Sequence, residues 1–249
     1  MLYQISVHCI SDIGHVRHNN EDASKLLKEE RFFVLADGMG GHQAGEVAST
    51  TAVDSLCDLF RRYPFFSLID IDEAKQLMRK IIQEVNTLVY KLGRENPNLR
   101  GMGTTLCFLF LHPSGLIYGH VGDSRIYRFR QGRLEQLSRD HSLLRELIDL
   151  GQLSEQQAED FIYKNIITKA IGTESTVEPT ICDTSLQEGD ILIMCSDGLS
   201  DLVSSDVMES IIASHPEEDV IRLLVEKAKK NGGYDNITVV LVKIERISD

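Results

Sequence analysis

Residues 32–46 read FFVLADGMGGHQAGE, an apolar run that stops on a carboxylate and then on glycines. The run 32–36 has no polar member, the pattern of a strand buried on both faces. Asp37 is the carboxylate. Gly38, Gly40 and Gly41 let the chain turn tightly and approach a neighbour where a Cβ would obstruct it. Beyond Gly45, the residues Val47, Ala48, Ala52, Val53, Leu56, Leu59 and Phe60 recur near helical spacing, so a helix is expected there. A single strand, Asp-Gly and helix would describe a common turn. The pattern matters because it recurs along the chain.

Upstream, residues 3–10 alternate as a strand and run into SDIGHVRHNNEDA, a polar stretch expected to be a surface loop. Downstream, Ala74, Leu77, Met78, Ile81, Ile82, Val85, Leu88 and Val89 share one face of a helix predicted over 72–92, with Gly93 and Pro97 as its stop. From Gly101 the period becomes extended. TTLCFLFL, LIYGHVG, IYRFR and LEQLS, parted by HPSG and QGR, predict an antiparallel meander. Residues 139–150 return to helical spacing, and 151–163 form a polar excursion expected to be exposed and comparatively mobile. A strand is predicted over 177–184. ILIMC (191–195) is a second doubly apolar strand, ending on Ser196-Asp197-Gly198. Helices near 205–214 and 217–231 lead through Gly232-Gly233 and Asp235-Asn236 to a last strand, ITVVLVKI.

No Pro-, Gly- or Ser-rich linker divides the 249 residues, so one domain is expected, with enough apolar side chains for a sizeable core. The formal charge of −12 disfavours nucleic-acid backbones and anionic membranes as partners. It leaves room for an anionic substrate if cations supply local positive charge. Five scattered cysteines without a CxxC pair read as reduced thiols. With neither a signal-peptide pattern nor a run of membrane-spanning length, a cytoplasmic protein is expected.

Four aspartates now share one context: Asp37 after FFVLA, Asp123 after LIYGHVG, Asp197 after ILIMCS and Asp235 before ITVVLV. If their strands belong to packed sheets, the strand ends can converge, and clustered carboxylates repel unless protons or cations intervene. An oxygen-only set suggests Mg²⁺ or Mn²⁺. Two such ions can activate water and hold phosphoryl oxygens. Each aspartate alone is more simply a turn residue. Jointly they are hard to dismiss.

SDIGHVRHNNED, ADGMGGHQAGEVAS, GMGTT, VGDSRIYRFR, DHSLL, ITKAIG, CSDGLSDLV and GGYDNITVVLV, in this order across nearly the whole chain, resemble the PP2C (PPM) family of metal-dependent serine/threonine protein phosphatases, in its compact bacterial form. The resemblance implies an α+β, four-layer sandwich: two packed antiparallel β-sheets flanked by antiparallel helices. It makes residues 1–249 one phosphatase domain with a mobile flap at about 145–165. It implies that Asp37 bridges two metals and that the Gly38 carbonyl ligates the first. Asp197 and Asp235 hold the second, and Asp123 helps to hold a third. Asp22 lies close by and orients metal-bound water, with Glu21 beside it, and Arg17 clamps the substrate phosphate with its guanidinium fork.

The implied cofactors are Mn²⁺ or Mg²⁺, two in the core site and a third nearby. The implied mechanism is direct hydrolysis by a metal-bridging water, without a phospho-enzyme. Expected partners are phosphorylated proteins, including a serine/threonine kinase or its targets, and the chain is expected to act as a monomer. Met39 stands where some members carry a His proposed as general acid, so leaving-group protonation must come from elsewhere. Metal-bound water, His42 and His141 are the candidates. Lys169 replaces a common Arg, keeping the charge without the fork. A metal-dependent nuclease would need the same cations, but the acidic balance and the lack of a basic, aromatic-laced groove oppose it. A catalytically silent binding module would have no use for mutually repelling carboxylates.

Overall fold

The doubly apolar runs form the central strands of two antiparallel sheets, because only a strand covered on both sides can hide every side chain. A computed structural model describes residues 2–40, 44–65, 70–158, 161–163 and 166–248. One sheet has the order β1 (Leu2–Asp12), β11 (Ile237–Ser248), β10 (Ile191–Cys195), β7 (Arg125–Arg130) and β8 (Arg133–Gln136). The other runs β2 (Asp22–Leu27), β3 (Phe32–Met39), β5 (Leu106–His112), β6 (Gly115–Val121) and β9 (Thr180–Thr184), with the short β4 (Gly103–Thr104) also on β3.

Alternation along each strand sorts the side chains into three cores. Phe33, Leu35, Cys107 and Leu109 meet Leu192, Met194, Val240 and Val242 between the sheets. From the same strands, Phe32, Val34, Phe108 and Phe110 point the other way, under α1 (Ala44–Arg62) and α2 (Ile71–Glu95). There Phe32 stacks on Phe60 at 4.0 Å between centroids, and Phe60 on Phe65 at 4.4 Å. On the far side, Ile193, Cys195, Val239 and Leu241 pack under α6 (Ser205–Ser214) and α7 (Glu217–Lys230). The layers are therefore helices, sheet, sheet, helices, the expected α+β sandwich.

Several boundaries differ from the sequence expectation. α2 runs through Gly93 and ends at Glu95, capped at Asn96 before Pro97. A Cβ on Gly93 would come within 3.2 Å of the Leu99 carbonyl, so this glycine serves close packing rather than termination. β3 continues through Asp37 to Met39 because Asp22 pairs with Asp37 on one side and Gly103 with Met39 on the other. Residues 139–142 precede rather than join the next helix, α3 (Leu143–Asp149), which starts where the Ser142 hydroxyl accepts from the Arg145 amide. After it come the short α4 (Glu155–Ala158) and the loop to β9. Part of the expected flap, residues 159, 160, 164 and 165, lies outside the described residues, as does His42.

Candidate metal centre

The two sheets bring their acid-bearing ends together in a cleft of about 390 Å³, lined by Asp37, Asp123, Asp197, Asp235, Arg17 and the Gly38 backbone, among others. Five segments deliver the carboxylates. Asp37 lies within β3. Asp123 is in the turn from β6 to β7, and Asp197 opens the short helix α5 (Asp197–Ser200) that follows β10. Asp235 comes just before β11. Asp22 starts β2 directly opposite Asp37 in the ladder, a like-charge pairing that sheets normally avoid.

The close approach expected around Gly38 is real. A Cβ there would stand 2.1 Å from the Gly45 carbonyl, so the start of α1 presses on the backbone that carries Asp37. The Asp37 amide donates to Thr105 Oγ1 at 2.8 Å, and the Asp37 carbonyl accepts from the Thr105 amide and the Thr104 hydroxyl, both at 2.8 Å. Held this way, the half-buried Asp37 carboxyl faces its acidic neighbours. Burial first, then repulsion from Asp22, Asp197, Asp123 and Asp235, pushes its pKa well above the usual carboxylate range. For Asp197, burial and then the charges of Asp123, Asp201 and Asp235 push it up to about 8. Burial likewise raises Asp22 and Asp123 to about 6 each.

Three of these acids keep a buried oxygen with no hydrogen-bond partner: Asp22 Oδ1, Asp123 Oδ1 and Asp197 Oδ1. A buried, unpartnered carboxylate oxygen is costly unless a proton or a cation satisfies it. The donors are all oxygen, which suits a hard divalent cation such as Mn²⁺ or Mg²⁺. Among the described residues no three His, Cys, Asp or Glu side chains already stand in ligating geometry. Asp235 in particular is paired with a cation of the protein, since Arg17 Nη2 donates to its Oδ2 at 2.6 Å in a partly exposed pair. Thus Arg17, read from sequence as a phosphate clamp, sits in the cleft but holds a carboxylate read as a metal ligand.

Three polar residues that sequence reasoning did not single out organise the site. The Ser196 hydroxyl donates to Asp22 Oδ2 at 2.8 Å while accepting from the Thr238 amide at 2.9 Å. Asn236, only 4% exposed, accepts from the Glu21 amide at 2.8 Å and donates from Nδ2 to the Ile13 and Asn19 carbonyls, each at 3.0 Å. Thr105 ties Asp37 to Ser124 through a 2.7 Å hydroxyl contact. Their one sequence signal is position, each being within one residue of a strand end or of a candidate aspartate. Met39 lines the cleft where the family His was expected to be absent. Lys169 is exposed and lines a different hollow with Thr168 and Glu178. His141 lies behind the cleft wall, bonded to Gly122, and is not among the residues that line the cleft.

With fold and acids in place, comparison with known proteins defines the class. The protein phosphatase 2C family pattern matches residues 15–241. The serine/threonine phosphatase Stp of Listeria welshimeri is 38% identical over 237 residues, covering 94% of this chain and 93% of that protein. The structure of the serine/threonine phosphatase Stp1 from Staphylococcus aureus superposes with a TM-score of 0.90 at 33% identity, covering 98% of this chain and 96% of that one. The catalytic domain of the serine/threonine protein phosphatase PstP, solved with two manganese ions, superposes with a TM-score of 0.85 at 33% identity, covering 97% and 99%. The chain belongs to the protein phosphatase 2C family.

Proposed function

We propose that this enzyme removes phosphate from phosphoserine and phosphothreonine in proteins by direct attack of water. The observation that carries the reading is the convergence of Asp123 and Asp197 with Asp37 in the cleft that Arg17 enters, with Asp22 opposite Asp37 in the ladder, and an unsatisfied buried oxygen on each of Asp22, Asp123 and Asp197. Asp37 and the Gly38 carbonyl would hold one Mn²⁺ or Mg²⁺, and Asp37, Asp197 and Asp235 a second. Asp123 would help to hold a third, with Asp22 orienting a water behind Asp37. Bound there, the cations supply an activated water and neutralise charge on the phosphoryl oxygens.

The protein's own groups do the rest. Arg17 has guanidinium donors beyond the one given to Asp235, and the substrate phosphate is the anion whose paired oxygens match that fork. A cysteine nucleophile is disfavoured, because no cysteine is among the described residues that line the cleft, and burial pushes the Cys195 thiol, two residues before Asp197, up to about 12. Met39 has no proton to give a leaving oxygen. The substrates are phosphorylated proteins, among them a serine/threonine kinase or its targets, and the enzyme acts as a cytoplasmic monomer. Free cysteines agree with a reducing compartment, and among the described residues no helix is long and apolar enough to cross a membrane.

The test is hydrolysis of p-nitrophenyl phosphate and of a phosphothreonine peptide, with and without Mn²⁺ or Mg²⁺, beside the Asp37→Asn protein. Metal-dependent release that the variant loses is the expected result. Undiminished release by Asp37→Asn would overturn the assignment of the centre.

A further inference from the structure

His141 makes more cross-chain contacts than a packing residue needs. Its backbone amide donates to the Gly122 carbonyl at 3.0 Å, and the Gly122 amide donates back to His141 Nδ1 at 3.1 Å. Both backbone groups of the residue before Asp123 are therefore held by one side chain and its own main chain. Since Nδ1 accepts, the ring proton is on Nε2, which lies 2.9 Å from Thr180 Oγ1 and donates to it. The ring also stacks on His120, with centroids 4.5 Å apart, and His120 Nε2 donates to the Arg139 carbonyl at 2.7 Å.

Gly122 is pressed from its other side. Its φ is +100°, and a Cβ there would stand 2.7 Å from Thr105 Cγ2, the residue that also fixes Asp37. The Asp123 turn is thus caught between Thr105 and His141.

The His141 carbonyl faces another segment. It accepts from the Thr168 amide at 2.8 Å, Ser142 bridges Ile167, and the Leu143 amide donates to the Ile166 carbonyl at 2.8 Å. These contacts zip together the chain entering and the chain leaving the segment that holds α3 and α4. Ile167 itself lines the catalytic cleft. One residue therefore touches the Asp123 turn with its ring and amide, and the base of the flap with its carbonyl.

We propose that His141 is a positioning residue that couples the Asp123 turn to residues 142–143 and 166–168 at the base of the flap, so that cation binding at Asp123 and the hold on that base rise together. The proposal rests on the reading of Asp123 as a cation ligand. Burial pushes the His141 pKa down to about 3, which keeps the ring neutral and Nδ1 available as an acceptor across physiological pH.

The test uses the full chain with His141→Ala, His141→Asn and His141→Gln. Asparagine Oδ1 can stand where Nδ1 accepts, whereas glutamine can reach toward Thr180 but not back to Gly122. Binding is read from the electron spin resonance of free Mn²⁺, and the hold on the base of the flap from the rate of trypsin cleavage after Arg145 and Lys169. In the wild type, Mn²⁺ should slow that cleavage. His141→Ala should weaken about tenfold the binding of the Mn²⁺ that Asp123→Asn loses, the scale for losing an outer partner of a ligand, and its cleavage should no longer respond to Mn²⁺. Asparagine should recover both properties and glutamine neither. Unchanged Mn²⁺ binding and flap protection in the alanine variant would overturn the coupling. If alanine fails to fold, equal behaviour of asparagine and glutamine overturns it. Absence of any Mn²⁺ binding by the wild type would instead strike the reading of the centre itself.

Discussion

Strand β10 carries an aspartate just beyond each end, Asp190 buried and Asp197 half-buried with its Oδ1 covered, and the two could hardly be treated more differently. Asp190, 1% exposed, receives Arg130 Nε on Oδ1 at 2.7 Å, Arg130 Nη2 on Oδ2 at 2.6 Å and the Gln187 amide at 2.8 Å. Asp197, at the other end, faces Asp123, Asp201 and Asp235 with one oxygen unpartnered. Both acids flank the same apolar strand. The first is neutralised by the protein's own arginine, while the second keeps an oxygen without a hydrogen bond among like charges.

The sharpest way to break this contrast is to neutralise each acid in turn. Asp197→Asn or Asp37→Asn should cut Mn²⁺-dependent phosphatase turnover by about 10³-fold or more, the scale of several kcal/mol of lost charge stabilisation. Each variant should stay folded, and the measurement is kcat at saturating Mn²⁺ beside a circular dichroism melt. Asp190→Asn should do the reverse. Breaking its bidentate pair leaves Arg130 short of a partner and costs about 3 kcal/mol of stability, read as a lower midpoint in urea with turnover per folded molecule intact. Comparable loss of activity in both variants would erase the distinction.

A pH series sharpens it further. For Asp22, Asp123 and Asp197 the folded-state pKa lies above the unfolded value of 3.8, so the folded form binds those protons more tightly. Their stabilisation is present at low pH and is lost as pH rises through about 6 to 8. In chelator the melting temperature should therefore fall between about pH 5 and pH 8, less steeply in Asp197→Asn, and saturating Mn²⁺ should flatten the slope. A chelator curve no steeper in the wild type than in the variant would refute the cause. The smallest effect belongs to Arg17→Ala. It should raise KM for p-nitrophenyl phosphate more than it lowers kcat, with stability changed by no more than about 1 kcal/mol because its pair with Asp235 is exposed. A fall in kcat at unchanged KM would place Arg17 in transition-state stabilisation instead.

Where the chain is buried on both faces, local pattern was enough to find its structure. FFVLA, LCFLFL and ILIMC read as strands because every side chain is apolar, and each is a central strand here. β2 was not recognised. Its DASKLL mixes polar and apolar residues at a sheet edge, where only pairing with β3 decides the conformation. Residues 139–141 looked helical in isolation but are consumed by bonds to His120 and Gly122.

The candidate aspartates were legible from their places beside apolar strands, and family resemblance gave them roles. Ser196 and Asn236 were not, because the partners that give them meaning, Asp22 and Glu21, are 174 and 215 residues away in sequence. Composition and periodicity thus sufficed for which segments are buried, since burial is a property of each side chain and its spacing. Which acids meet, which one Arg130 neutralises and which one Arg17 holds are settled only when two sheets close on each other. Charge interactions act across space, and nothing in their sequence separation encodes them.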